Sequence, residues 1–379
     1  MNTSIHPFPG FSDTKNHYEI LDGLRGVAAV IVVIFHLLET FSGGNNLNQI
    51  VNHGYLAVDF FFVLSGFVIG YAYDDRWDKM TLKGFFKRRL IRLHPMIIVG
   101  TLIGAATFYL QDSSFFPGIS QVPVWKMLLT MLIGFTLIPV FPSQDIRGWA
   151  EMHPLNGPAW SLFFEYIANI LYALFIRKFT NKQLAFLVFA AGCVLIHLSI
   201  TQGDVIGGWS VTPTQLHIGF TRLIYPFFAG LLLSRICKPG RVKHAFLWCS
   251  LLLIVVLSFP RIGGAEHLWL NGLYVVFCII FIFPLIVYMG ASGEVKGKRA
   301  SRVNRFLGDI SYPLYIIHYP FIYLFMAWVD KHKANMQESL PVAFMVLVLV
   351  IALAYACVKL YDVPVRKWLI QRIMNKPVK

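Results

Sequence analysis

Arg25 and His36 stand eleven positions apart in the run YEILDGLRGVAAVIVVIFH, Tyr18 to His36, which turns apolar just after its first charges. A side chain of the imidazole type takes and returns protons at physiological pH. At 3.6 residues per turn the two fall within about 20° of each other on one helix face, about 16 Å apart along the axis, and Asp22 shares that face. A second set lies in LNGPAWSLFFEYIANILYALF, where Ser161, Glu165, Asn169 and Tyr172 recur every three to four positions as a polar stripe. A third is His318, seven positions after Ser311 in FLGDISYPLYIIHYPF and so nearly on its face. Ionisable groups inside hydrocarbon are costly and turn toward a cavity or a partner helix, which makes His36, Glu165 and His318 candidates for proton chemistry. The plainer reading of His36 is a hydrogen bond to a neighbouring helix.

Other residues offer binding. In HGYLAVDFFFVLSGFVIGYAY, Asp59 shares a face with Gly66 and Gly70, so a neighbouring backbone can come close while the carboxylate reaches a polar partner. Ser65 reads as packing, since no GxSxG turn surrounds it. In FFKRRLIRLHP, Arg88 and Arg92 are i,i+4 neighbours with Arg89 between them, and like charges so placed disfavour a helix unless an anion bridges them. A phosphate-bearing ligand does this, and so do lipid headgroups, with topology signalling an equal reading. His197, His217 and Arg222 read as non-catalytic, while Arg261, Glu266 and His267 shape an outer mouth.

The elements that position these groups are membrane helices. Of 379 residues 56% are hydrophobic and 14% charged, against about 25% charged in soluble domains. The expected fold is therefore all-α, a multi-pass transmembrane bundle forming one domain over residues 1–379, with a cytoplasmic segment 1–20 and a basic tail 362–379. Eleven apolar stretches are long enough to consider: 24–41, 55–73, 95–110, 125–141, 158–176, 184–200, 217–234, 245–259, 269–289, 310–329 and 340–361. The net charge of +14 sits in short clusters at 76–92, 177–182, 235–244, 296–305 and 366–379, where the positive-inside bias explains it without nucleic acid. Placing all five inside requires that one stretch between Arg92 and Arg177 does not cross. The stretch 125–141, short and ending in Pro139 and Pro142, is read as a re-entrant or interfacial helix, giving ten crossings with both termini cytoplasmic; the alternative is that 177–182 faces outward. The first seventeen residues are polar and broken by Pro7 and Pro9, so a retained first anchor is expected rather than a cleaved signal peptide. Five scattered cysteines show no ligand spacing, and no metal site is expected.

Taken together, LDGLRG with Arg25 and His36, HGYLAVDFFFVLSGF, FFKRRLIRLHP, NGPAWSLFFE, SYPLYIIHYP and the closing YDVPVRKW resemble the acyltransferase-3 family of integral membrane O-acyltransferases. The resemblance implies a ten-span bundle of a cell inner membrane that passes an acyl group, acetyl foremost, from cytoplasmic acyl-CoA to a hydroxyl of an extracytoplasmic glycan or similar acceptor. It puts the catalytic histidine on His36, its partner arginine on Arg25, the RxxR cluster on Arg89 and Arg92 with Arg88 adjacent, and the glutamate on Glu165. Some members carry a soluble esterase-like domain; this chain ends about eighteen residues after its last apolar stretch, so the bundle or a partner is expected to deliver the acceptor.

Thioester acyl transfer needs a base for the alcohol proton and donors for the oxyanion. His36 suits the base, with an acyl-histidine intermediate also open. Arg25, Arg88, Arg89 and Arg92 suit the donor's phosphates, and Asp22, Asp59, Ser161 and Asn169 suit substrate contacts. Glu165 suits orientation of an imidazole or a sugar hydroxyl, and His318 an oxyanion donor or proton relay. The oligomeric state is open. The rival readings are a proton-coupled transporter or flippase of a lipid-linked sugar and a non-catalytic scaffold.

Overall fold

The computed structural model describes residues 17–374; of the expected terminal segments, 1–16 and 375–379 lie outside that range. The main elements among the described residues are all helices: α1 (Glu19–Glu39), α2 (Ala57–Tyr73), α3 (Leu82–Thr107), α4 (Val124–Thr136), α5 (Ala159–Leu174), α6 (Asn181–Gln202), α7 (Pro213–Ile236), α8 (Ala245–Ser258), α9 (Leu268–Ala291), α10 (Lys298–His332) and α11 (Met336–Met374). Each expected apolar stretch corresponds to one of these helices. Eight are long and apolar enough to cross a membrane alone; α4, α5 and α8 are shorter.

Three boundaries differ by more than three turns: α3 starts earlier than expected, α10 starts at Lys298 rather than near 310, and α11 runs on to Met374 rather than ending near 361. The third helix begins at Leu82 rather than near Pro95, because Thr81 caps it by accepting from the Gly84 amide at 3.1 Å. Pro95 sits inside this helix, where its missing N–H costs one backbone bond. The carbonyl of Leu93 is taken by the Tyr312 hydroxyl at 2.5 Å. The early start makes the arginines of FFKRRLIRLHP, expected on one or two turns of helix before Pro95, part of the same helix as the apolar stretch that follows.

The basic segments gather at one end of the bundle. Arg235 donates to Asp74 at 2.6 Å and to the Phe179 carbonyl at 2.8 Å, and the Arg177 guanidinium lies 4.0 Å from the Trp77 ring centre. At the same end Lys87 donates to the Ile373 carbonyl at 3.3 Å, Arg305 faces Glu19 at 3.6 Å and the Val242 amide meets the Ser292 carbonyl. Segments 76–92 and 177–182 therefore share an end, with α3 leading away and α5 returning. With 13 residues, α4 is about 20 Å long, short of a hydrocarbon core of about 30 Å. It packs on α3, with Gly134 against Thr101, and leaves Val124, Trp125, Leu128, Leu129 and Leu132 exposed.

Two close helix pairs form the framework. α1 lies along α10, where a side-chain carbon on Gly26 would meet the Leu307 backbone and one on Gly308 would meet Asp22. α2 lies along α7 in a reciprocal contact: Gly66 faces the Phe227 carbonyl and Gly230 faces the Val63 carbonyl. Small residues of this kind let helices in lipid approach closely enough for dispersion to hold them.

Between α2 and α7 a charge pair is sealed inside the bundle. Arg222 grips Asp59 with both faces of its fork, NH2 to Oδ2 at 2.7 Å and Nε to Oδ1 at 3.2 Å, and also donates to the carbonyls of Tyr55 and Gly207. The Arg222 and Asp59 side chains are 3% and 0% exposed. Asp59 thus has both oxygens occupied and no surface to offer a substrate.

Candidate active site

The α1–α10 pairing brings the sequence candidates together in two stations. At the basic end, Arg25 Nε donates to Ser311 Oγ at 2.7 Å and its NH2 to the Gly308 carbonyl at 3.3 Å, while Asp22 lies 3.2 Å away. Asp22 also meets His17 at 2.9 Å; that carboxylate raises the affinity of the His17 ring, just outside α1, for its proton.

Two turns into α3, Arg89 NH2 reaches Glu165 Oε1 of α5 at 2.7 Å, and Ser65 of α2 donates to the same oxygen at 2.9 Å. Three helices are tied at this point, and Ser65 does more than pack. Glu165 stands with Arg89 rather than beside an imidazole, because the longer α3 lifts the arginine to the glutamate's level. Arg88, one position earlier, lies within electrostatic reach of Tyr73 and Arg76. Arg92 has no ion-pair or hydrogen-bond partner among the described residues. It lies within electrostatic reach of Asp22, Arg25, Asp362 and Arg366, and Arg366 is itself held by Asp362 at 2.6 Å. Among the described residues Arg92 is therefore an uncommitted guanidinium beside the Asp22–Arg25 and Asp362–Arg366 pairs.

The second station is His36. Its ring stacks on that of His318 with 5.6 Å between centres and meets the edge of Tyr319 at 4.8 Å. Nδ1 lies 2.7 Å from Glu39 Oε2, and a carboxylate oxygen accepts, so Nδ1 carries a hydrogen, and in the neutral ring the lone pair is on Nε2. His318 is fully buried and its Nδ1 lies 2.8 Å from the Tyr315 carbonyl. A carbonyl only accepts, so this ring too holds its hydrogen on Nδ1, and its buried Nε2 has no partner. As a neutral ring it offers an acceptor.

The stripe on α5 is divided. Ser161 donates to the Pro158 carbonyl and shares a 2.8 Å hydrogen bond with Tyr315, whose ring stands 5.9 Å from His318. Asn169 donates to the Glu165 carbonyl at 2.6 Å and so belongs to the basic-end station.

Beyond Tyr319, the loop 137–158 closes the other end of the bundle. Tyr323, 4.6 Å from Tyr319 between ring centres, donates to Glu151, and the fully buried Arg147 guanidinium lies 3.5 Å from the Tyr323 ring centre. Burial pushes the Glu151 carboxyl up to about 7 against the pull of Arg147. Sequence reading missed this cluster and also missed Glu39. The first carries no periodic signal, but Glu39 stands three positions after His36, and that spacing was legible. No group of His, Cys, Asp and Glu able to hold a metal ion occurs among the described residues.

The family described as an acyltransferase domain matches residues 18–359. The chain is similar to Protein 2 in picA locus of Rhizobium radiobacter, 32% identical over 48% of this chain and 94% of that protein. It is also similar to the O-acetyltransferase OatA of Staphylococcus aureus, 24% identical over 92% of this chain and 57% of that protein, so the chain spans little more than half of OatA's length. No solved structure matches.

Proposed function

The chain belongs to the acyltransferase-3 family, and from that premise we propose that it transfers an acyl group, acetyl foremost, from an acyl-CoA at the basic, cytoplasmic end to a hydroxyl of a glycan or similar acceptor at the opposite end. The observation that carries the reading is the parallel contact of α1 and α10, which sets an arginine station and a histidine station along one seam. They are separated by about 16 Å of helix axis.

Arg92 and Arg25 hold the phosphates of the donor, Arg92 directly because no described residue pairs with it, and Arg fits such oxyanions with its planar fork. The donor's thioester then extends along the seam toward His36. The acceptor alcohol gives its proton to His36 Nε2 as its oxygen bonds to the acyl carbon; the C–S bond breaks and its electron pair leaves on sulfur. The imidazolium returns the proton to the thiolate. His318, which offers a lone pair, suits a proton relay rather than an oxyanion donor. Glu165 and Ser65 fix Arg89 and thereby the bundle around the donor path.

The test is His36→Ala in full-length protein in membranes that retain the native acceptor, with thiol release from acetyl-CoA as the readout. Loss of release with acetyl-CoA binding preserved is the expected result, and release at the wild-type rate overturns the assignment of the base.

A further inference from the structure

We infer that Glu39 is the positioning residue of the proposed base: it holds the Nδ1 hydrogen of His36, leaving Nε2 free to act, and balances the positive charge that the ring acquires in the reaction. This rests on the reading of His36 as the base.

The geometry is specific. Glu39 Oε2 lies 2.7 Å from His36 Nδ1 across one turn of α1. The imidazole is held on other sides by the stacked His318 ring and the edges of Tyr319 and Phe35. His318 and Tyr319 of α10 together with Glu39 of α1 are the titratable side chains the described structure sets against the ring, and Glu39 alone among them is an acid. When Nε2 takes the alcohol proton, the ring becomes a cation beside a buried and neutral His318, where solvation is poor. The carboxylate supplies the charge that water would otherwise supply.

Helix stability gives no reason for an acid at this position. Glu39 is the last residue of α1, and the exposed carbonyls of a helix C-terminus repel a negative charge. The next residues hold the helix end without its side chain: Thr40 Oγ reaches the His36 carbonyl and Ser42 Oγ donates to the Glu39 carbonyl. The Glu39 side chain is 40% exposed, so its pairing with His36 is not forced by burial.

The experiment uses full-length protein in membranes carrying the native acceptor, with acetyl-CoA as donor. Glu39→Ala is expected to lower kcat by about 100-fold while the KM for acetyl-CoA stays at the wild-type value. Added formate, a carboxylate small enough for the vacated space, restores at least part of that loss; Glu39→Asp retains more activity than Glu39→Ala. A merely structural side chain would show neither the kcat-only effect nor the rescue. Independently of any variant, nitrogen-15 spectra of the histidine rings in the wild-type protein should show His36 protonated at Nδ1. A wild-type kcat in Glu39→Ala, or an Nε2-protonated His36, overturns the inference. If His36→Ala is inactive while Glu39→Ala is normal, this inference alone fails; if His36→Ala is active, the underlying reading fails.

Discussion

Arg89 and Arg92 occupy one helix three residues apart and have opposite fates, which separates their mutants. Arg89 is locked to Glu165, with side chains 6% and 18% exposed, and removing one partner of such a pair leaves an uncompensated charge at a cost of about 3–5 kcal/mol. Arg89→Ala is therefore expected to lower the thermal midpoint and the yield of folded protein. Arg92→Ala is expected to leave the midpoint in place and to raise the KM for acetyl-CoA about tenfold, by loss of one charged hydrogen-bonding group. Calorimetry in detergent together with donor titration distinguishes the two. The sequence placed both arginines in one anion-binding cluster because it gives spacing along α3 but not the identity of the helix opposite. His36 and His318 were the reverse case. Their types and their places within apolar stretches were readable, and the stacking of the rings follows once α1 and α10 touch.

At the scale of elements, glycines decide which helices touch. Gly66 and Gly230 each face a backbone carbonyl of the partner helix, so no flexible side chain is available to yield. Gly66→Ala is expected to force α2 and α7 apart and to cost about 1–3 kcal/mol, read as a lower thermal midpoint, whereas Gly118→Ala, with open space around it, is expected to cost less despite its positive φ. Helix positions were legible because long apolar runs have few alternatives in a membrane. The start of α3 was not, because hydropathy is insensitive to a Thr cap followed by a basic first three turns. Loop 137–158 was illegible for a related reason: it is ordered by single contacts, such as Arg147 on Tyr323, with no repeating pattern to betray them.

For the whole molecule the charge clusters were the strongest guide, since five basic segments in sequence became one basic end in space. The same logic says that α4 enters and leaves the membrane on one face. Single cysteines at Ser120 and Ser143, exposed residues flanking α4, placed in a background without the five native cysteines, are expected to react with a membrane-impermeant maleimide from the same side. Labelling from opposite sides would make α4 a crossing and overturn the placement of segments 76–92 and 177–182 at one end of the bundle.

The Asp59–Arg222 clasp also bears on how the chain is made. The ribosome must add 163 residues after the aspartate before its counter-ion exists, an interval of about 10–30 s at ordinary elongation rates. Throughout that time α2 carries a lone acid that lipid disfavours, so the half-finished protein has to be sheltered by the insertion machinery or keep that acid near water. The order of synthesis thus makes the arrival of α7 the moment at which the first half of the bundle can settle.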